Sequence, residues 1–376
     1  MKINKIIRPA AVLCTAALIV SASGCADTSW SFKTSNKTLS NGVWIYKTYG
    51  AVSDAISKIQ EETSKSVSIT DDDFTSNKVE KKNILDWVTE KAKDSCVEYL
   101  TIEKLVKDNK VKIDKKAIES SEKTYAKYID QMGAKELYEK LGISSSSAAY
   151  CDSTISTYKE DLFKAIYDKD GSKAVSDDDV QKYFTDNYTD YYYLYYSFKT
   201  TDSDGNSVDI DDETKDKVTA AFAKYAKELS DGSKTITEID EEYKKDFELK
   251  EDETVPSSKG TEKLADSNMS EDVQKEIKAL GDKKATVKSI DDKYYMLYKG
   301  SISDKAKNIS DDSTKTDAIS RINIVHEMKD EEFKKYIEDE KKKLKYDTND
   351  ACLSKYTAER TVNIIKDYVK SQSSGN

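Results

Sequence analysis

Six tyrosines lie between Tyr188 and Tyr196, in the run YTDYYYLYY, and they constrain the backbone more tightly than any other stretch of the chain. Aromatic side chains crowd the preceding turn of a helix but fit a pleated strand. A period of two sets Tyr192, Leu194, Tyr196 and Phe198 on one side, and Tyr191, Tyr193, Tyr195 and Ser197 on the other. The first reading is a sheet strand with hydroxyls reaching water. The sharper one is a peptide-binding face, since tyrosine offers a large rigid contact at low entropic cost.

Around this strand the pattern is helical. Only two prolines occur, Pro9 and Pro256, so long helices can run unbroken. Leu85, Val88, Ala92, Cys96, Tyr99 and Leu100 recur at three-to-four spacing, as do Ile155, Tyr158, Leu162 and Ile166. Val218, Phe222, Tyr225 and Leu229 mark a further helix, residues 270–281 a short one, residues 316–346 a long one and residues 359–369 the last. Residues 42–59 read as a short strand or turn leading into a helix. Residues 285–290 and 294–299 read as two strands joined at Asp291-Asp292. The acidic triplets 71–73 and 177–179 sit best in first helical turns, where the dipole favours acids. TTDSDGNSVDIDDE, at 200–213, has the outline of a calcium loop. Thr200 stands where such a loop needs its first carboxylate, so a turn is expected instead.

The N-terminus carries the most specific signal. Basic Lys2, Lys5 and Arg8 precede an apolar run over residues 10–22, which is too short to span a bilayer comfortably and has the size of a signal-peptide core. It ends in Ala22-Ser23-Gly24-Cys25, which resembles a bacterial lipobox. Residues 1–24 are then a leader, Cys25 is the lipidated residue, and residues 25–41 are a polar tether from a diacylglycerol anchor. That places the protein on the extracytoplasmic face of a bacterial cell membrane. Beyond Cys14 and Cys25, Cys96, Cys151 and Cys352 remain, an odd number that cannot form a complete disulfide framework. Cys96 reads as a buried thiol, and a bridge to Cys151 is a lesser alternative.

A net charge of −10 without a basic patch argues against nucleic acid as a partner. No phosphate-binding or dinucleotide fingerprint appears, and His and Cys have no metal-ligand spacing. His326, the single histidine, reads as a packed, neutral side chain with no nucleophile motif beside it. No catalytic residue, metal or cofactor is expected.

The order of these elements resembles the SurA/PrsA class of exported chaperone-foldases. The phrases that carry the likeness are KLGISSSSAAYCDSTISTYKEDLFKAIY (140–167), KAVSDDDVQKYFTDNY (173–188) and ALGDKKATVKSIDDKYYMLYKG (279–300). The resemblance implies an α+β fold in which a mostly helical chaperone domain, residues 42–187 with 304–376, carries an inserted parvulin-like α/β domain at 188–303. Parvulins place one histidine in the first strand and another in the last. Those positions fall near Tyr195 and Tyr295, so the implied domain is degenerate and the chain leans away from enzyme activity. The implied function is binding of unfolded or nascent exported polypeptides, with Trp44, Trp87, Tyr193, Tyr195 and Tyr295 as contact residues and a homodimer left open. The alternatives are a prolyl isomerase with a substituted site, and a surface scaffold or adhesion lipoprotein.

Overall fold

A computed structural model describes residues 27–311 and 319–373; the leader and Cys25 lie outside them. The chain is of the α+β class and divides into two units, one running to Lys159 and resuming at Ile337, the other covering Glu160–Tyr336.

The first unit opens with β1 (Trp30–Lys33) and β2 (Thr38–Ser40), followed by α1 (Asn41–Thr63). Then come β3 (Lys78–Val79), β4 (Lys82–Asn83), α2 (Ile84–Asp108), α3 (Lys115–Gln131), α4 (Lys135–Leu141) and α5 (Ser145–Tyr167). Trp44, Thr48, Ala51, Val52, Ala55 and Ile59 put one face of α1 into the core, where it packs on α2. Asn83 starts α2 by accepting the Leu85 N–H on its side chain, which satisfies a donor the helix cannot. The expected face of α2 holds: Val88, Ala92, Cys96, Tyr99 and Leu100 are all buried, while Leu85 stays partly exposed.

Three expectations fail here. Residues 25–41 are not a tether throughout, because from Trp30 they are folded. β1 pairs with β2 and with a strand from the far end of the chain, Phe32 opposite Thr348, and Ser31, Phe32 and Leu39 are buried. The alternation Trp30-Ser31-Phe32-Lys33 is too short to stand out among polar neighbours. Residues 42–59 contain no strand, since α1 begins at Asn41. The triplet 71–73 also does not open α2. Asp71 instead accepts the Ser68 N–H at 2.9 Å within a turn, and a short 3-10 helix follows at Phe74–Ser76.

The second unit takes in the end of α5, then α6 (Asp177–Asn187), β5 (Thr189–Ser197), β6 (Lys199–Thr201), β7 (Ser207–Asp209), α7 (Asp212–Asp231) and α8 (Ile236–Asp246). They are followed by β8 (Ser257–Glu262), α9 (Glu271–Ala279), β9 (Lys284–Ile290), β10 (Lys293–Lys299), α10 (Ile302–Ala306), β11 (Ile309–Ser310), β12 (Ile319–Ser320) and α11 (Arg321–Lys341). Ser176 caps α6 through the Asp179 N–H, with Asp177, Asp178 and Asp179 in the first turn as the sequence suggested. β6 and β7 form a hairpin whose tip turns at Gly205, φ +82°, and the Asp202 carboxylate folds back onto the Asp204 and Asn206 N–H groups. β13 (Asp347–Thr348), α12 (Asp350–Lys355) and α13 (Ala358–Ser373) complete the first unit, α13 packing on α1, α2 and α4.

Four antiparallel strands in the order β8-β5-β10-β9 form the sheet of the second unit. Helices cover both faces. Val218, Phe222, Tyr225, Ile239 and Tyr243 of α7 and α8 pack on Tyr192, Leu194 and Met296. Val273 and Ile277 of α9 pack on Tyr191 and Leu297.

The end of β10 is fixed by a close approach. A Cβ placed on Gly300 would lie 1.9 Å from Asp190 Oδ2. That carboxylate cannot swing away freely, because Thr261 Oγ1 donates to Asp190 Oδ1 at 2.8 Å and the Gly300 N–H donates to the Asp190 carbonyl at 2.8 Å. Gly300→Ala is therefore expected to destabilise the second unit by about 1–3 kcal/mol. The urea midpoint of that unit measures it, and an unchanged midpoint would show that Asp190 yields without cost.

Candidate functional site

β5 lies between β8 and β10, and its register decides which rings meet. Residues directly opposite across an antiparallel pair share a face. Tyr195 stands opposite Tyr295, and Tyr193 opposite Leu297. The result is a row of tyrosine rings: Tyr191–Tyr193 with centroids 6.2 Å apart and stacked, Tyr193–Tyr295 at 6.0 Å edge to face, and Tyr195–Tyr295 at 5.8 Å. Lys293 Nζ sits 4.5 Å from the centre of the Tyr195 ring, within cation–π range. α9 covers much of the row: Tyr191 is buried under Val273 and Ile277, Tyr193 and Tyr295 pack against the same cluster, and Tyr193, Tyr195 and Tyr295 are half-buried. Burial, helped by the nearby Tyr193 and Tyr195, pushes the Tyr295 hydroxyl above its ordinary pKa.

Tyr195 also lines a cavity of about 650 Å³ beside the β6–β7 hairpin, with Tyr196, Tyr243 and Pro256 among its walls. Its polar rim includes the Lys199–Asp209 ion pair, 3.0 Å. A cavity of this size has the dimensions of a small-ligand or side-chain site, and its lining mixes tyrosine rings with Ser197, Lys199, Thr200, Asp209, Asp211 and Thr214.

The buried tyrosines do not reach water as first expected. Tyr192 Oη donates to Asp240 at 2.6 Å, Tyr191 Oη to Glu262 at 2.5 Å and Tyr225 Oη to Asp246 at 2.7 Å. Burial first, and the Glu262 carboxylate second, push the Tyr191 hydroxyl up to about 12. A tyrosine-rich, acid-rich sequence thus satisfies its phenols with carboxylates inside the fold.

Of the five residues expected to contact peptide, the sheet brings Tyr193, Tyr195 and Tyr295 together. Trp44 and Trp87 are corrected: both are core residues of the first unit, 1% and 7% exposed. The Trp44 indole N–H donates to the Tyr356 carbonyl at 2.7 Å, and that of Trp87 to Glu80 at 3.0 Å. Cys25 lies outside the described residues. Cys96, Cys151 and Cys352 are buried free thiols, so Cys96 and Cys151 are not bridged.

His326 packs flat on Phe163, centroids 3.8 Å apart, and its ring nitrogens face Asp330 at 2.8 Å and Glu160 at 3.0 Å. Neither nitrogen is left for a substrate. Asp94, Glu98 and Glu338 bring carboxylate oxygens near one another. Lys341 pairs with Asp94 at 2.8 Å and Glu338 at 2.6 Å, and Lys159 pairs with Glu98 at 2.5 Å. Lysines already supply the positive charge an ion would bring. Among the described residues, no helix is long and apolar enough to cross a membrane.

No protein-family model matches the chain, and no curated protein sequence matches it. Among solved structures it is similar to a crystal structure of PrsA from Bacillus subtilis, at 17% identity and a TM-score of 0.24, over 77% of this chain and 89% of that one. A likeness at that level says nothing about what this chain binds.

Proposed function

We propose that the protein is a lipid-anchored, extracytoplasmic chaperone that binds unfolded exported polypeptides on the tyrosine face of its sheet. The observation that carries this reading is the row formed by Tyr193, Tyr295 and Tyr195, partly buried, whose end member Tyr195 also lines a cavity of about 650 Å³. Rigid aromatic faces bind apolar side chains of many shapes, and partly exposed ones bind them weakly enough to release. The lipobox-like Ala22-Ser23-Gly24-Cys25 supports the location, and the SurA/PrsA resemblance supports the client class. The module from about Tyr191 to Lys299 is read as a parvulin-like domain without its histidines.

A second reading, a prolyl isomerase with a substituted site, is favoured by one feature. Tyr195 and Tyr295, which occupy the positions that resemblance assigns to histidines, stand directly opposite each other. Phenols there can donate or accept hydrogen bonds but are poor bases near neutral pH.

Two assays on the full chain separate the readings: aggregation of a denatured exported protein, and cis–trans isomerisation of a proline peptide. The expected result is suppressed aggregation without isomerisation. In a Tyr195→Ser/Tyr295→Ser double variant the suppression should fall several-fold at a temperature where circular dichroism shows the second unit still folded, since losing two partly buried rings costs about 2–4 kcal/mol. Clear isomerisation lost in the variant would favour the second reading. Silence in both assays would leave a scaffold lipoprotein as the better account.

A further inference from the structure

We propose that the first unit carries a separate binding pocket for a small amphipathic anion. A cavity of about 490 Å³ opens between the β1–β2 turn, the C-terminal half of α2, Tyr158 of α5 and the chain following α11. Its volume is in the range of small-molecule sites. Lys37, Lys104, Lys107, Lys343 and Lys345 line it, against only Glu103 and Asp108. In a chain of net charge −10, the local sign is reversed.

Structural duties account for part of that charge. Lys37 pairs with the largely buried Glu103 at 2.7 Å, Lys104 pairs with Asp108, and Lys343 pairs with Glu340 at 2.7 Å. Lys107 lies in the last turn of α2, where a cation complements the helix dipole. Lys345 belongs to no helix. Among the described residues neither Lys107 nor Lys345 has a carboxylate within ion-pair distance, and both are exposed at the same cavity. Leu344 and the ring of Tyr158, partly exposed, also line the cavity, with small contributions from the buried Leu100 and Val106. A carboxylate or phosphate head fits between the two lysines, with an apolar body against Leu344 and Tyr158. This site uses none of the tyrosine face, so it stands or falls independently of the chaperone reading.

Isothermal titration of the full chain at low salt, with 4-phenylbutyrate as probe and 4-phenylbutanol and inorganic phosphate as its separated halves, tests the proposal. The expected result is saturable 1:1 binding of phenylbutyrate, with the alcohol and phosphate each at least about tenfold weaker. Lys107→Glu/Lys345→Glu should weaken phenylbutyrate by about tenfold or more, with the melting temperature lowered by only a few degrees, since both side chains are exposed and reversing Lys107 opposes the α2 dipole. A control pair in the second unit, Lys284→Glu/Lys288→Glu, should leave binding unaltered. Absence of saturable binding, equal binding of the alcohol, an unaffected Lys107/Lys345 variant, or an equal loss in the control pair would each overturn it.

Discussion

Trp44→Ala is expected to lower the stability of the first unit by about 3–5 kcal/mol. The side chain is 1% exposed, packs with its ring centre 6.0 Å from that of Phe32, and donates its indole N–H to the Tyr356 carbonyl at 2.7 Å. Alanine leaves a cavity where α1 meets β1 and strips a carbonyl of its donor, and both effects add to the lost transfer energy. The measurement is convenient because all three tryptophans, Trp30, Trp44 and Trp87, belong to the first unit. Urea unfolding followed by tryptophan fluorescence therefore reports on that unit alone. Trp44→Phe should cost less, because the ring keeps most of the volume and loses only the hydrogen bond and part of the contact. If Trp44 served an exposed binding face, the alanine variant would unfold at the wild-type midpoint and lose only client binding.

The contrast between Trp44 and the tyrosine strand shows what the sequence makes legible. Periodicity identified the buried face of α2, the inward residues of α7 and the two sides of β5, because each is a long run with a single period. The pairing of Tyr195 with Tyr295 is set by the register between β5 and β10, which neither strand's own pattern specifies. Residue type alone misled for Trp44 and Trp87, since an aromatic ring serves a core and a binding face equally well. The three-to-four spacing of Thr48, Ala51, Val52, Ala55 and Ile59 beyond Trp44 was the available signal for a buried helix face. β1 was hidden for a different reason. Its partner β13 comes from the opposite end of the chain, and strand pairing at that separation leaves no local mark. The lysine pocket is similarly non-local, since residues 37, 104, 107, 343 and 345 become neighbours only through packing.

In the second unit, the largest single polar loss is expected at Arg321. Its side chain is 3% exposed and donates to Asp168 at 2.6 Å, Asp177 at 2.9 Å and the Val175 carbonyl at 2.5 Å. Arg321→Ala leaves that buried carbonyl unpaired and removes a packed guanidinium, while the two more exposed carboxylates can rehydrate. The expected cost is about 3 kcal/mol. The variant should also change the response to acid. Asp177 is held below its ordinary 3.8, first by the Arg321 hydrogen bond and then, against a smaller burial effect, by Lys169. A carboxyl depressed in the folded state adds stability that is complete above its unfolded pKa and is lost as pH falls through the folded one. Wild-type stability should therefore decline as pH drops from about 5 towards 2, and the variant should decline less steeply over that window. It should not become flat, because Asp209, Asp211 and Asp304 are also held low by partners that do not include Arg321. Far-ultraviolet circular dichroism at a series of pH values resolves the slopes, with tryptophan fluorescence marking the first unit's transition separately. Parallel curves for the two proteins would mean that Asp177 draws no stability from Arg321, and that the guanidinium serves the Val175 carbonyl and Asp168 instead.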